Sequence, residues 1–348
     1  MPKANKEAQA LARDIAERKL KQDNFSLKSR LAEALKALEQ CKFELNTAIK
    51  VDKAKDYVRP IRPREIKSGL REAAWVSLAS DWHIEESVQP GTVNGVNSYN
   101  LAIARHRVER YFAGVSWLVN YHKPKFKLRD GILWLGGDLI TGYLREENLE
   151  ANECSPVHAI ATLHGWIADG IRYILKHTDT ETLKVICNSG NHGRLTHKTR
   201  PSTREANSIE WLLYHFLARE FSDERRVEFV LPQGAHTYAQ VYDKVIRFHH
   251  GDDAKYGGGV GGIMIPVQKA LYRWNTVRHA DLTCIGHFHQ YHDLYDLVIN
   301  GSLIGYNPYA LSVGAKYEDP KQAFFLMDSK RGKTFPASVW VKDSNSHA

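Results

Sequence analysis

The chain has 348 residues with an ordinary apolar share of 43 %, enough for a sizeable core and too much for a disordered chain. No run is apolar and long enough to span a bilayer, and Met1-Pro-Lys-Ala-Asn-Lys lacks the apolar centre of a signal peptide, so the expectation is a cytoplasmic protein with no membrane partner. The four cysteines are scattered without a C-x-x-C spacing, which argues against a disulfide framework and a cysteine zinc site, and the net charge of +8 is lopsided: residues 1–71 hold 18 Lys/Arg against 10 Asp/Glu, the remainder 30 of each.

Residues 1–50 have helix composition, with no Gly and with Pro2 as the lone proline. Leu31, Leu35, Leu38, Leu45 and Ile49 mark a short heptad seam interrupted at Lys42. It reads equally as a coiled coil, giving a homo-oligomer or a partner site through residues 5–50, and as an amphipathic helix on its own domain. Residues 51–72, with Arg59-Pro60-Ile61-Arg62-Pro63-Arg64, read as an extended solvated linker, with contact to a polyanion as the sharper alternative. The body is expected over 73–348.

In the body, Ala74–Ala79, Gly131–Gly136 and Leu183–Cys187 are apolar strand-like runs. Helical stretches are predicted over Asn100–Lys123, over Leu144–His177 with a break near Pro156, over Arg204–Phe221 and over Ile263–His279. Further strands are predicted at Val227–Val230, Gln240–His249, Asp281–Ile285, Tyr295–Ile299, Ala323–Met327 and Val339–Val341. Strands alternating with helices describe an α/β layered domain, and the closely spaced late strands predict a mixed sheet.

Five strand ends carry metal-ligand residue types: Asp81-Trp82-His83, Gly137-Asp138, Gly190-Asn191-His192, His250-Gly251 and Gly286-His287-Phe288-His289. Any one of them alone is more simply a turn with a surface histidine. Together, at the strand edge where ligand crevices form, they point to one site. Asp81, His83, Asp138, Asn191, His250, His287 and His289 are oxygen and imidazole ligands without a thiolate, suited to manganese, iron or zinc. Seven are too many for one tetrahedral zinc and about right for two octahedral ions completed by water. Two ions activate a water between them and neutralise phosphate oxygens; His192, beside Asn191, would protonate the leaving oxygen.

These five motifs resemble those of the calcineurin-like metallophosphoesterases, over about residues 74–300. The resemblance implies a four-layer αββα sandwich of mixed sheets, here preceded by a helical extension. It implies that Asp81, His83 and His289 bind one metal, that Asn191, His250 and His287 bind the other, that Asp138 bridges both, and that His192 is the catalytic histidine. The two divalent ions would be manganese first, with iron, zinc or nickel as alternatives. Two departures stand out. Gly193 replaces the acidic residue that often supports the histidine, and Gly137-Asp-Leu-Ile-Thr-Gly142 lacks the second Asp and the Arg of the Ser/Thr phosphatases. The stretches 85–100 and 143–156 are expected as loops over the site.

For substrate, Arg194, His197 and Lys198 are candidate phosphate contacts with a solvated loop as the plainer reading, and Lys123, Lys125, Lys127 and Arg129 form either a backbone-binding patch or a surface turn. Gly257–Gly262 reads as a flexible loop, and Tyr306, Tyr309 and Tyr317 either stack on bases or pack a turn. The expected function is a nuclease or phosphodiesterase acting on nucleic acid, similar in class to the repair exonucleases. The alternatives are a phosphoesterase of small nucleotides and, from another class, a non-catalytic nucleic-acid-binding or scaffold subunit. An open groove running to Arg59–Arg64 would favour nucleic acid, and a pocket under the inserted loops a small substrate.

Overall fold

The computed structural model describes residues 59–64, 69–255 and 262–342. The predicted helical extension with its heptad seam, and nearly all of the Gly257–Gly262 loop, lie outside them. Two mixed sheets form the centre. The first runs β11-β10-β1-β2-β3-β4, with β1 (Arg71–Ala79), β2 (Phe126–Leu135), β3 (Thr182–Cys187) and β4 (Val227–Val230) parallel. β10 (Lys321–Asp328) is antiparallel to β1, and β11 (Gly332–Trp340) to β10. The second runs β5-β6-β7-β9-β8, with β5 (Thr237–Val241), β6 (Lys244–His249), β7 (Leu282–Ile285), β8 (His292–Asp293) and β9 (Leu297–Ile299).

Alternation along the strands builds the layers. In β1, Ala74, Val76 and Leu78 face the second sheet, where they meet Ile246, Phe248, Cys284 and Val298. Ala73, Trp75 and Ala79 face the other way, toward helices α1 (Leu101–His122), α3 (Pro156–His177) and α4 (Ile209–Glu220). Because both faces of β1 to β3 are covered, these strands read as unbroken apolar runs. The far face of the second sheet packs on α5 (Met264–Val277) through Val267, Leu271, Ile285 and Ile299. Helices, sheet, sheet and helix give the four-layer αββα order expected from the sequence. Among the described residues, no helix is long and apolar enough to cross a membrane.

Local chemistry explains most element ends. Asn100 caps α1 by accepting from Ile103 N at 2.8 Å, and Ser155 with Pro156 opens α3, which separates it from the short α2 (Glu146–Ala151). Three predictions are corrected. Gln240–His249 is not one strand but the end of β5, a hairpin turn at Tyr242-Asp243 and β6, with Tyr242 in the left-handed region at φ 58°. The turn carries no Gly, so the pattern hid it; Tyr242 N is instead held by Ile61 O at 2.7 Å. The basic connector 123–129 already contains the start of β2, with Lys123 paired to Asp179 at 2.5 Å.

The third correction concerns residues 59–64, the described part of the segment predicted as a solvated linker. Ile61 is buried and forms a parallel bridge to Val241, extending the edge of the second sheet. Arg64 donates to both oxygens of Asp130 at 2.6 Å and to Glu181 at 2.9 Å. An apolar residue between prolines was enough to dock the segment, and it meets the strands at the end away from the five ligand loops.

Candidate metal centre

Each ligand loop starts where a buried strand stops. Past Ala79, Asp81 N donates to Gly137 O at 3.0 Å and Trp82 N to Asp138 O at 2.8 Å, so the first two loops are laced together. Trp82 turns into the core, edge-on to Tyr111 and Phe112, which leaves Asp81 and His83 on the opposite side. Gly137 and Gly190 allow the second and third loops to touch: a Cβ on Gly137 would lie 2.1 Å from Gly190 N, and one on Gly190 2.0 Å from Asp138 Oδ1.

Five of the seven predicted ligands, Asp81, His83, Asp138, His287 and His289, have φ between 49° and 71°. Non-glycine residues adopt this region at an energetic cost, and such positions cluster at functional sites. These five side chains belong to two clusters.

Two clusters result. The ligand atoms of Asp81, His83 and His289 lie within 4.8 Å of one another, and so do those of Asp138, His250 and His287. His83 Nε2 and His289 Nε2 are 3.3 Å apart, and His289 Nε2 is 3.4 Å from Asp81 Oδ1. His250 Nε2 is 2.9 Å from Asp138 Oδ2, while its Nδ1–H donates to Gly136 O at 2.8 Å and so sets the tautomer. Asn191 Oδ1 is buried with no hydrogen-bond partner. An orphaned buried carbonyl lining the same cavity as the two clusters is a costly arrangement unless a cation completes it. The donor set therefore fits divalent ions.

The electrostatics agree. Burial pushes the Asp138 carboxyl up, but His250, His192 and His83 outweigh it and hold it well below the usual range. His250 moves the other way: burial lowers it, and Asp138 raises it further, to about 10. A positive charge is thus strongly favoured beside Asp138. Burial holds His83 well below its ordinary value and brings His287 down to about 4, with repulsion from neighbouring histidines adding in each case.

His192 is the residue whose support the sequence left unexplained. Its Nδ1–H donates to Thr141 O at 2.8 Å, its backbone N–H to Asp138 Oδ1 at 2.8 Å, and its ring stands edge-on to His83 with centroids 4.8 Å apart. Thr141 is fixed in turn by Glu85, whose Oε1 accepts from Thr141 N at 2.9 Å and Gly142 N at 2.8 Å. A backbone carbonyl thus replaces the acidic neighbour. At Gly193 a Cβ would sit 2.8 Å from Glu210 Cγ, so the space beside the loop is already occupied.

Glu85 and Glu210 escaped the sequence reading. Glu210 is fully buried; Oε1 accepts from Leu139 N and Oε2 from Gly190 N, both at 2.7 Å, which ties the Asp138 loop to the Asn191 loop. Burial, together with Asp138, raises its carboxyl to about 8; burial raises that of Glu85 to about 7. In the sequence, Glu210 looks like an ordinary acidic residue in the first turn of a helix.

Both clusters open into one cavity of about 470 Å³, lined by His83, Asp138, Asn191, His192, His287 and His289 and covered by the inserted loops. The loops brace each other: Ser87 N donates to Ala151 O at 2.8 Å and Glu153 N to Glu85 O at 2.7 Å. Arg194, His197 and Lys198 do not line it. Arg194 spends its donors on Asn191 O, Thr196 O and His197 O, holding its own loop closed, and His197 and Lys198 face solvent. Tyr306 and Tyr309 do line the cavity.

No protein-family model matches the chain, and no curated protein does. Among solved structures, the chain is similar to a Vps29 variant from Entamoeba histolytica, at 11 % identity over 76 % of this chain and 97 % of that one, with a TM-score of 0.32. It is similar to a predicted phosphoesterase from Streptococcus pneumoniae, at 10 % identity over 76 % and 98 %, with a TM-score of 0.26. A hypothetical protein from Pyrococcus horikoshii gives 13 % identity over 78 % and 89 %, with a TM-score of 0.35.

Proposed function

We propose that this chain hydrolyses phosphoester bonds at a two-metal centre of the calcineurin-like metallophosphoesterase type. The observation that carries the reading is the pair of oxygen–imidazole clusters opening into one cavity, which Asn191, with its buried, unpartnered Oδ1, and His192 also line. Asp81, His83 and His289 would hold one ion, Asn191, His250 and His287 the other, with Asp138 shared. Manganese is the first choice, with iron, zinc or nickel as alternatives. When bound, the ions supply Lewis acidity toward the phosphoryl oxygens and activate the attacking water.

The chain's own residues do the rest. With Nδ1–H of His250 committed to Gly136 O at 2.8 Å, its Nε2, 2.9 Å from Asp138 Oδ2, is the atom that would face an ion. With Nδ1–H committed to Thr141 O, His192 turns Nε2 toward the cavity as the atom that hands a proton to the leaving oxygen. The cavity of about 470 Å³ leaves room for a compact phosphoester.

Two substrate readings are open to test. The cavity beneath the inserted loops, and the docking of Ile61 and Arg64 at the other end of the sheets, support a nucleotide-sized ester. The positive excess over residues 1–71 supports a nuclease. The test is hydrolysis with Mn(II), at two salt concentrations, of p-nitrophenyl phosphate, bis-p-nitrophenyl phosphate and labelled single- and double-stranded DNA. Asp138→Ala serves as control. DNA cleavage that falls steeply with salt gives a nuclease; turnover of the small esters alone gives a small-molecule phosphoesterase; no turnover of any substrate sinks the hydrolytic reading.

A further inference from the structure

The outer wall of the cavity differs from its metal-ligand floor. Arg145, just before α2, lies with its guanidinium carbon 4.3 Å from the ring centroid of Tyr309, in the short helix α6 (Pro308–Ser312). Tyr309 is 51 % exposed, which is unusual for a ring held in a fixed place. It is fixed because Asn307 caps that helix, accepting from Ala310 N at 2.9 Å, and donates to Glu86 Oε1 at 2.9 Å. Glu86 follows His83 by three residues, so the ring is tied to the ligand loops.

Charge adds a second observation. Arg145 and Lys316 are the only Arg and Lys among the described residues lining the cavity, and neither makes an ion pair with a described residue. The carboxylates nearby are largely committed. Glu86 accepts from Asn307 and Thr141, and Glu318 accepts from Tyr291 N at 2.7 Å and pairs with Lys321 at 2.8 Å; only Glu147 stands in solvent. Leu144 and Val313 supply apolar surface beside the ring. A flat aromatic face, a flat cation, apolar edges and a second uncommitted cation match a planar ring that carries an anion.

We propose that Tyr309 and Arg145 form a base-binding subsite: the aromatic base of a nucleotide stacks on the Arg145–Tyr309 pair while its phosphate reaches the ligand clusters at the inner end of the same cavity. Lys316 takes a further phosphate where the substrate has one. The inference rests on the phosphoesterase reading only for the position of the phosphate. The base belongs either to a free nucleotide or to the end of a nucleic-acid strand, since the chemistry is shared.

The test uses the full chain loaded with Mn(II) on a His192→Ala background, so that ligand is bound and not consumed. Calorimetry compares adenosine monophosphate with ribose 5-phosphate, which lacks only the base. The parent is expected to prefer the base-bearing ligand by about tenfold. Adding Tyr309→Ala should bring the two ligands within about twofold, whereas Tyr309→Phe should keep the preference; thermal melts check that each variant folds. Equal affinities in the parent, or a preference that survives Tyr309→Ala, would overturn the subsite. A base preference in a protein that hydrolyses no ester leaves the subsite standing and removes the hydrolytic reading. Hydrolysis of glycerol 2-phosphate without any base preference does the reverse. A short single-stranded oligonucleotide decides the source: tighter binding than the mononucleotide assigns the base to a strand end, weaker binding to a free nucleotide.

Discussion

The two ends of the central strands treat charge in opposite ways. Where β1, β2 and β3 begin, several charges meet their opposites: Arg64 meets Asp130 and Glu181, Arg71 meets Asp328, and Arg129 lies 3.7 Å from Glu72. Where the same strands stop, carboxylates and imidazoles gather on backbone bent into the left-handed region, and Asn191 Oδ1 has no partner. One end sets opposite charges against each other. The other holds polar groups in costly positions that a bound cation would relieve. Of the basic segment 59–64, Arg64 is already spent on the chain's own fold.

The largest effect that would break this contrast is at Asp138. Asp138→Ala removes the carboxylate facing His250 and the acceptor of the His192 backbone N–H, and hydrolysis is expected to fall below detection with loss of bound metal by elemental analysis. Retained turnover would remove Asp138 from the centre. His192→Ala comes next: turnover should drop by about 10²- to 10⁴-fold with metal content unchanged. An unchanged rate would show that no proton passes through this ring.

Glu210→Ala tests whether the loops depend on their buried strap. It orphans Leu139 N and Gly190 N, each worth about 1–3 kcal/mol when left unpaired, and metal affinity is expected to fall by about 10- to 100-fold, read by chelator competition. Unaltered affinity would mean that the loops hold themselves. At the opposite end of the strands, Arg64→Ala should lower stability by about 1 kcal/mol in urea unfolding and leave hydrolysis and its salt dependence alone. A changed salt slope would show that the two ends act together.

The smallest effect concerns pH. His236 is brought from 6.5 down to about 3, first by burial and then by repulsion from His249 and Arg247. A depressed histidine contributes stability above pH 6.5, which is lost as pH falls from 6.5 toward 3, because the unfolded chain takes up the proton first. Melting temperature followed over that range should fall more gently in His236→Asn than in the parent. Parallel curves would put the acid sensitivity elsewhere.

Whatever depends on neighbours in the chain was legible in the residues. The apolar runs of β1, β2 and β3 report burial on two faces, Ser155-Pro156 marks a helix start, and Asp81-x-His83 or His287-x-His289 puts two donors on one side of a turn because side chains alternate. Whatever depends on distant partners was not. The mooring of His192 comes from Thr141 O, 51 residues away, held there by Glu85; the strap between loops comes from Glu210; and the docking of Ile61 comes from Val241. A backbone carbonyl has no residue type, and a buried glutamate looks like a surface one until the fold encloses it. The residues named the donors; the packing of two sheets decided which donors meet, what holds them, and which charges were left free to act.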